Sequence, residues 1–382
     1  MKIINVAMIG AGSIAKTHSL GFMTMPVHFW EPPAMPVLKT ICDVREEAAR
    51  ESVARYGFES YCTDWREAVN RPDIDLVDII TPNEAHAEIA IEAAKAGKMI
   101  YCEKPLTLKA SDANMMVKAV KEAGVRTAVG FNKRRFPAVI WAKQLVENGF
   151  IGKPTYFHGK YFQSMAIDPD FPYHWRFDGF GIIQEAGCHT IDICRYLIGE
   201  FDSVSALTRV FITERPRMIG FEIDTTKMRG DKNDMVKINA EDFGTYFVKM
   251  KNGATAMFEN SNIASGSNDD CAFELYGTRG AIKWCAKRGS ELQISSMDDP
   301  AGMKGFRTIE MGPEHPYCFW PFAGFGINWS DLKAIEIYDM FDAFVNKKPF
   351  SPDFRDAQKI VELAEAIYES AANNGEWVEL PD

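Results

Sequence analysis

Apolar and polar positions follow two different regimes along the chain. Residues 3–9 form an apolar run that ends directly in glycine, the mark of a strand covered on both faces. Further apolar strands are expected at 37–42, 76–80, 99–102 and 125–129. Between them lie stretches of helical spacing: one opening at the first glycines, then 46–56, 84–96 and 111–123, the last three closed by Gly57, Gly97 and Gly124. Strands alternating with helices at this period predict right-handed βαβ units around a parallel sheet.

The pattern changes after Phe131. Strand-like segments follow at 153–164, 204–213, 243–250, 254–261, 271–276 and 281–285, with turns between them. Lys251-Asn252-Gly253 is a hairpin signal, because Asn-Gly tolerates the positive φ angles of a tight turn. Gly277 to Gly280 reads as a second. Helical stretches are expected at 186–197, 332–345 and 354–373, and long loops at 215–236 and 298–328. The fold class is therefore an α/β unit joined to an α+β unit. An N-terminal Rossmann parallel sheet spans 1–131, and a domain on a large, mostly antiparallel open sheet spans 132–382, its C-terminal helices free to pack back on the first.

Composition narrows the partners. The 382 residues carry 43 Lys and Arg against 53 Asp and Glu, a dispersed net charge of −10. No basic face is left for a nucleic-acid backbone. No apolar stretch approaches the roughly 20 residues of a membrane span. The N-terminal run is too short for a signal peptide and serves better as a strand. The 8 cysteines are scattered without a C-x-x-C pair, so a cytoplasmic protein with reduced thiols and no metal is expected.

Gly10-Ala11-Gly12-Ser13-Ile14-Ala15 fits G-x-G-x-x-G/A between a strand and a helix. The first glycine makes the turn, and the second admits a pyrophosphate to the backbone. The small third residue lets helix and strand pack closely. Gly10, Gly12, Ser13 and Ile14 are thus candidate dinucleotide contacts, with the helix N-terminus facing the phosphates. Asp43 closes the second strand, where a carboxylate accepts the ribose hydroxyls and repels a 2′-phosphate, favouring NAD over NADP. Arg45 works against that preference, and an N-cap role for Asp43 stays open. The glycine-to-acid spacing is long, so a proline- and aromatic-rich insertion is expected at 23–36.

Four motifs in order resemble the Gfo/Idh/MocA oxidoreductase family: Gly10 to Ala15, Thr81-Pro82-Asn83-Glu84-Ala85-His86, Glu103-Lys104-Pro105, and Glu185-x-x-x-His189-x-x-Asp192. The segments 15–20, 172–177 and 315–321, with the insertion at 23–36, bring it nearest to the branch of sugar, anhydrosugar and inositol dehydrogenases. The resemblance implies a Rossmann domain, a sheet domain with substrate lying between that sheet and the nicotinamide, and assembly as a homodimer or homotetramer. Thr81, Asn83, His86 and Glu103 join the candidate cofactor contacts.

Oxidising a secondary alcohol needs a hydride acceptor and a base. His189 suits the base, since its pKa lies near neutrality. The Lys104 cation would stabilise a developing alkoxide. The resemblance matches both to the family's catalytic pair. Read alone, Lys104 is equally a solvated loop residue and His189 a hydrogen-bonded core residue. Glu185 stands where the family usually has aspartate, adding a methylene to a carboxylate expected to orient His189 or hold a substrate hydroxyl. On a regular helix 185, 189 and 192 share one face, and Asp192 would bond a further hydroxyl. Arg134, Gln163, His174, Trp175 and Arg176 are weaker substrate candidates. The expected function is an NAD-dependent dehydrogenase acting on a sugar or polyol. The alternatives are an NAD-dependent glycosidase working by transient oxidation and a non-catalytic cofactor or sugar sensor.

Overall fold

A computed structural model describes residues 1–174, 177, 179–220 and 227–381. Two compact units emerge: Met1–Asn132 with Asn328–Val361, and Lys133–Ile327 with Glu362–Asp382.

The first unit holds a six-stranded, wholly parallel sheet: β1 (Ile3–Ile9), β2 (Met35–Cys42), β3 (Ser60–Cys62), β4 (Leu76–Ile79), β5 (Met99–Cys102) and β6 (Thr127–Val129). Its strand order, β3-β2-β1-β4-β5-β6, is that of a dinucleotide-binding fold. The order reverses between β1 and β4, and ligands of such sheets bind beyond the strands' carboxyl ends at that point. Helices α1 (Ser13–His28), α2 (Glu46–Tyr56), α3 (Trp65–Asn70), α4 (His86–Lys95) and α5 (Ala110–Ala123) connect the strands. Gly57 and Gly124 end α2 and α5 in the left-handed conformation, as their sequence positions predict. The insertion at 23–36 does not form a separate loop throughout. It extends α1 through Pro26 to His28 before β2 begins.

In the second unit, α6 (Pro137–Glu147), β7 (Pro154–Phe162), α7 (Cys188–Ile198), β8 (Phe201–Arg209), β9 (Glu214–Met218), β10 (Gly230–Lys237), β11 (Phe243–Met250), β12 (Thr255–Ser261), β13 (Asp270–Gly277), β14 (Gly280–Cys285), β15 (Glu291–Ser296) and β16 (Arg307–Glu310) follow in turn. Helix α8 (Trp329–Val345), whose start is closed by a reciprocal Asn328–Asp331 capping box, belongs to the first unit. Its Ile337 and Phe341 pack in one core with Phe22 and Met25 of α1. Each such fully buried side chain contributes about 1.5–3 kcal/mol. Helix α9 (Phe354–Ala372) and β17 (Val378–Glu379) close the chain. The large sheet runs β16-β15-β14-β13-β7-β12-β11-β8-β17. It is mostly antiparallel; β7 and β12 pair in parallel. Both expected hairpins form, β11–β12 around Gly253 and β13–β14 around 277–280.

The expected loop at 215–236 holds strand at both ends, β9 and β10, whereas 298–328 stays irregular apart from β16. β9 pairs with β10, and β16 adds an edge to β15. Residues 221–226 lie outside the described residues. No helix among the described residues is long and apolar enough to cross a membrane.

Candidate active site

The first unit gathers the predicted cofactor residues at the carboxyl ends of its strands. Gly10 has φ +115, and a Cβ there would lie 2.8 Å from the Ile80 carbonyl oxygen, so the turn after β1 admits only glycine. Gly12 differs. Its φ of −81 suits any residue, and a Cβ would meet nothing within 4 Å. Nothing in the protein's own packing asks for glycine here. A ligand brought against the backbone would. Gly12 is also the N-cap of α1, without a side-chain cap or an acidic residue in the first turn. The amides of Ser13 and Ile14 belong to that first turn, whose dipole attracts an anion. The Thr81 hydroxyl beyond β4 is buried without a hydrogen-bond partner. Open space at Gly12, an uncapped helix start and a waiting hydroxyl fit the pyrophosphate and ribose of a dinucleotide.

Asp43 turns back on the glycine loop. Ala11 N donates to its Oδ2 at 2.8 Å, and Arg45 N to its Oδ1 at 2.9 Å. The Arg45 guanidinium also reaches it, with Nε 3.1 Å from Oδ1. Asp43 is not an N-cap for α2; that position is Arg45. Its charge is partly neutralised by Arg45, which tempers repulsion of a 2′-phosphate.

Asn83 and His86 serve the neighbouring turn. Asn83 Nδ2 donates to the Pro105 carbonyl at 3.1 Å. The His86 ring nitrogens lie 3.1 Å from Leu106 O and 3.0 Å from Thr81 O. Burial lowers the His86 pKa, so the neutral ring donates to one carbonyl at a time. Both side chains thus tie the turn after β4 to the segment following Lys104. Glu103 is buried after β5, its carboxylate bonded by His18 Nε2 at 2.9 Å, Lys333 Nζ at 2.7 Å and the Lys104 amide at 3.1 Å. Lys104 follows it, half-buried.

In the second unit, His189 lies in the first turn of α7, 5% exposed. Its ring stacks on Tyr161 of β7, centroids 6.1 Å apart at 22°. The Tyr161 hydroxyl donates to Asp269, which Lys133 Nζ meets at 2.6 Å. Burial first, and then the Asp269 charge, push the Tyr161 pKa well up, so the phenol stays protonated. Lys133, Tyr161 and Asp269 carry no motif and escape a sequence reading.

Glu185 sits in a π-helical turn, Ile183–Gly187, ahead of α7. The expectation that 185, 189 and 192 share one face of a regular helix is therefore corrected, because the wider turn offsets Glu185 from the α7 register. Two contacts fix that turn. A Cβ on Gly187 would come 2.5 Å from Asn260 Oδ1 of β12, so the backbone presses against the sheet. Glu241 accepts from Ile183 N and from the Tyr368 hydroxyl, each at 3.0 Å. Burial raises the Glu241 pKa to about 7. Glu185 lines a water-sized cavity with Arg215, Glu241 and Asn262.

Asp192 and Arg134 meet each other. Arg134 Nε donates to Asp192 Oδ2 at 2.7 Å and Nη2 to Oδ1, and Tyr196 lies against the guanidinium. Both are about 1% exposed. The pair braces α7, so Asp192 carries a structural load beyond any substrate hydroxyl. Gln163 follows β7, and Asn262 follows β12. Their amide oxygens, Oε1 and Oδ1, are buried without hydrogen-bond partners. Two such acceptors beside the parallel β7–β12 pair suit a ligand rich in hydroxyl donors. His174 packs against Phe171 and Phe177. Trp175 and Arg176 lie outside the described residues.

The chain is similar to known proteins along its whole length. Residues 4–131 match the model of the oxidoreductase family with an NAD-binding Rossmann fold, and residues 139–283 the GFO/IDH/MocA C-terminal domain. Levoglucosan dehydrogenase of Pseudarthrobacter phenanthrenivorans is 40% identical over 387 aligned positions, covering 100% of this chain and 99% of that protein. The scyllo-inositol 2-dehydrogenase (NAD(+)) of Bacillus subtilis is 30% identical over 73% of each chain. Among solved structures, levoglucosan dehydrogenase in complex with NADH and levoglucosan superposes with a TM-score of 0.93 at 40% identity, covering 100% of both chains. The chain belongs to the Gfo/Idh/MocA family of oxidoreductases, whose N-terminal unit is an NAD-binding Rossmann fold.

Proposed function

We propose that the protein is an NAD-dependent dehydrogenase that moves a hydride between nicotinamide and a ring hydroxyl carbon of a sugar, anhydrosugar or inositol. The observation that carries this reading is Gly12: a glycine that the protein's own packing does not require, at the uncapped start of α1 and the switch point of a Rossmann sheet. When bound, NAD supplies the hydride acceptor. The chain's own residues do the rest. Gly10, Gly12 and the amides of Ser13 and Ile14 hold the pyrophosphate; Asp43 and Thr81 hold ribose hydroxyls.

Lys104 meets the reacting hydroxyl, and its ammonium lowers the alcohol pKa and stabilises the alkoxide. His189 takes the proton. Glu185 orients the substrate, and Gln163 Oε1 accepts from a hydroxyl. Names of the relatives support the substrate class: levoglucosan and inositols are both ring polyols.

The test is NADH formation by purified protein with NAD or NADP and a panel of levoglucosan, glucose, glucosides and inositols. Steady NADH production with a ring polyol, faster with NAD than NADP, is expected. Sugar hydrolysis without net NADH would overturn the dehydrogenase reading in favour of a glycosidase. In this reading the enzyme works in the cytoplasm as a homodimer or homotetramer, which light scattering tests; a monomer at working concentration would remove the oligomer.

A further inference from the structure

The first unit buries six polar side chains in one connected set: His18 of α1, Asp78 of β4, Tyr101 of β5, Glu103, and Lys333 and Glu336 of α8. Asp78 Oδ2 meets His18 Nδ1 at 2.9 Å, and Glu103 Oε1 meets His18 Nε2 at 2.9 Å. With a carboxylate on each ring nitrogen, both nitrogens donate only when the ring is an imidazolium. Lys333 Nζ donates to Tyr101 Oη at 2.7 Å, Glu103 Oε1 at 2.7 Å and Glu336 Oε2 at 2.9 Å. Tyr101 in turn donates to Glu336.

Charge buried on this scale costs several kcal/mol per ion before pairing. A core of similar volume needs none of it, so its placement calls for a role. All of it converges on Glu103. Oε1 is held by two cations, Oε2 accepts from the Lys104 amide, and a Cβ on Gly130 would strike Oε1 at 2.5 Å. Burial would raise the Glu103 pKa; the Lys333 charge, then the His18 hydrogen bond and charge, outweigh it and hold the carboxyl well below its ordinary value. For His18, burial works toward neutrality and the Lys333 charge works with it, but the Asp78 charge and the hydrogen bonds to Asp78 and Glu103 overcome both and raise the pKa.

We propose that His18 and Lys333 are positioning residues for Lys104, acting through Glu103, whose clamped carboxylate fixes the backbone from which the Lys104 ammonium projects. The inference rests on the reading of Lys104 as the group that meets the reacting hydroxyl. Two variants test it. His18→Gln keeps one donor for Glu103 but loses the two-sided clamp. Glu103→Gln leaves Lys333 paired with Glu336 and His18 with Asp78, so every remaining ion keeps a partner.

In each variant kcat should fall at least tenfold while KM for the sugar stays within about twofold, and in His18→Gln the Kd for NADH, read by fluorescence, also stays within about twofold. Placed in a Lys104→Ala background, neither should lower the residual kcat further, because the residue it positions is gone. Losses that multiply with that of Lys104→Ala, or a folded Glu103→Gln protein with wild-type kcat, would overturn the positioning role alone. A Lys104→Ala protein that turns over normally would overturn the reading of Lys104 and the positioning role with it.

Discussion

Replacing Gly12 by alanine adds one methyl group where the protein has nothing within 4 Å to meet it, at a φ of −81 that alanine adopts freely. The entropy lost from the unfolded chain favours the variant by about 0.4–1 kcal/mol, and the poorer N-cap costs a similar amount. Folding stability should barely change. Against a bound pyrophosphate the same methyl intrudes on a close backbone approach. Overpacking of that kind costs about 1–3 kcal/mol, which weakens binding roughly 5- to 150-fold. Gly10→Ala is the control. It forces a side chain to φ +115 and 2.8 Å from the Ile80 carbonyl, and should unfold at markedly lower temperature. Thermal melts of the free proteins and NADH titrations by fluorescence read both quantities. Gly12→Ala should melt within a few degrees of the wild type and bind NADH at least about fivefold more weakly. Unchanged NADH affinity in a folded Gly12→Ala protein would refute the placement of the dinucleotide.

Asp43→Ala should lower the ratio of kcat/KM for NAD over NADP, and Arg45→Ala should raise it, since Arg45 now offsets the Asp43 charge; steady-state rates with both cofactors check the pair. Arg134→Met leaves Asp192 buried without its bidentate partner, a loss of about 3–5 kcal/mol that calorimetry should register as a melting temperature lowered by roughly 5–10 °C. Burial raises the Glu241 pKa from 4.5 to about 7, so the folded state binds its proton more tightly than the unfolded chain does. That group therefore favours folding most below pH 4.5, and its contribution is lost as pH rises to about 7, about 3 kcal/mol across the interval. Glu241→Gln keeps an acceptor for Ile183 N and Tyr368 without the titrating proton, and melts from pH 5 to 8 should show a shallower decline than the wild type.

Much of the Rossmann unit is legible in the sequence because its signals are local. A buried parallel strand is a short apolar run, and its helices end at Gly57 and Gly124 because those positions take positive φ. The motif residues then fall at strand ends by simple counting. β10 is hidden in the exposed, charged run GDKNDMVK, and its identity as a strand comes from pairing with β9, not from alternation. β15 falls in a stretch to which the sequence assigns no element, and β16 joins the sheet within a stretch whose turns and charges read as loop.

The π-helical turn under Glu185 is imposed from outside, by Asn260 and Glu241, 73 and 54 positions along the chain from Gly187. His18 belongs to a segment noted for its family likeness, yet nothing local says that it meets Glu103 85 residues away. Lys333 reaches the same carboxylate across 230 residues, and a lysine in an apolar helix pattern gives no hint of its partner.

On this protein a ring carbon of the substrate should give up its hydride to NAD. Levoglucosan deuterated at each ring carbinol carbon in turn, incubated with NAD and the enzyme, tests it by mass analysis of the reduced cofactor. One labelled position should yield deuterated NADH, with a primary isotope effect on kcat/KM when hydride transfer limits the rate, and inositols labelled in the same way extend the test to the other substrate class. NADH formed without deuterium from any labelled carbon, or no NADH from any ring polyol by a protein that binds NADH, would contradict the account.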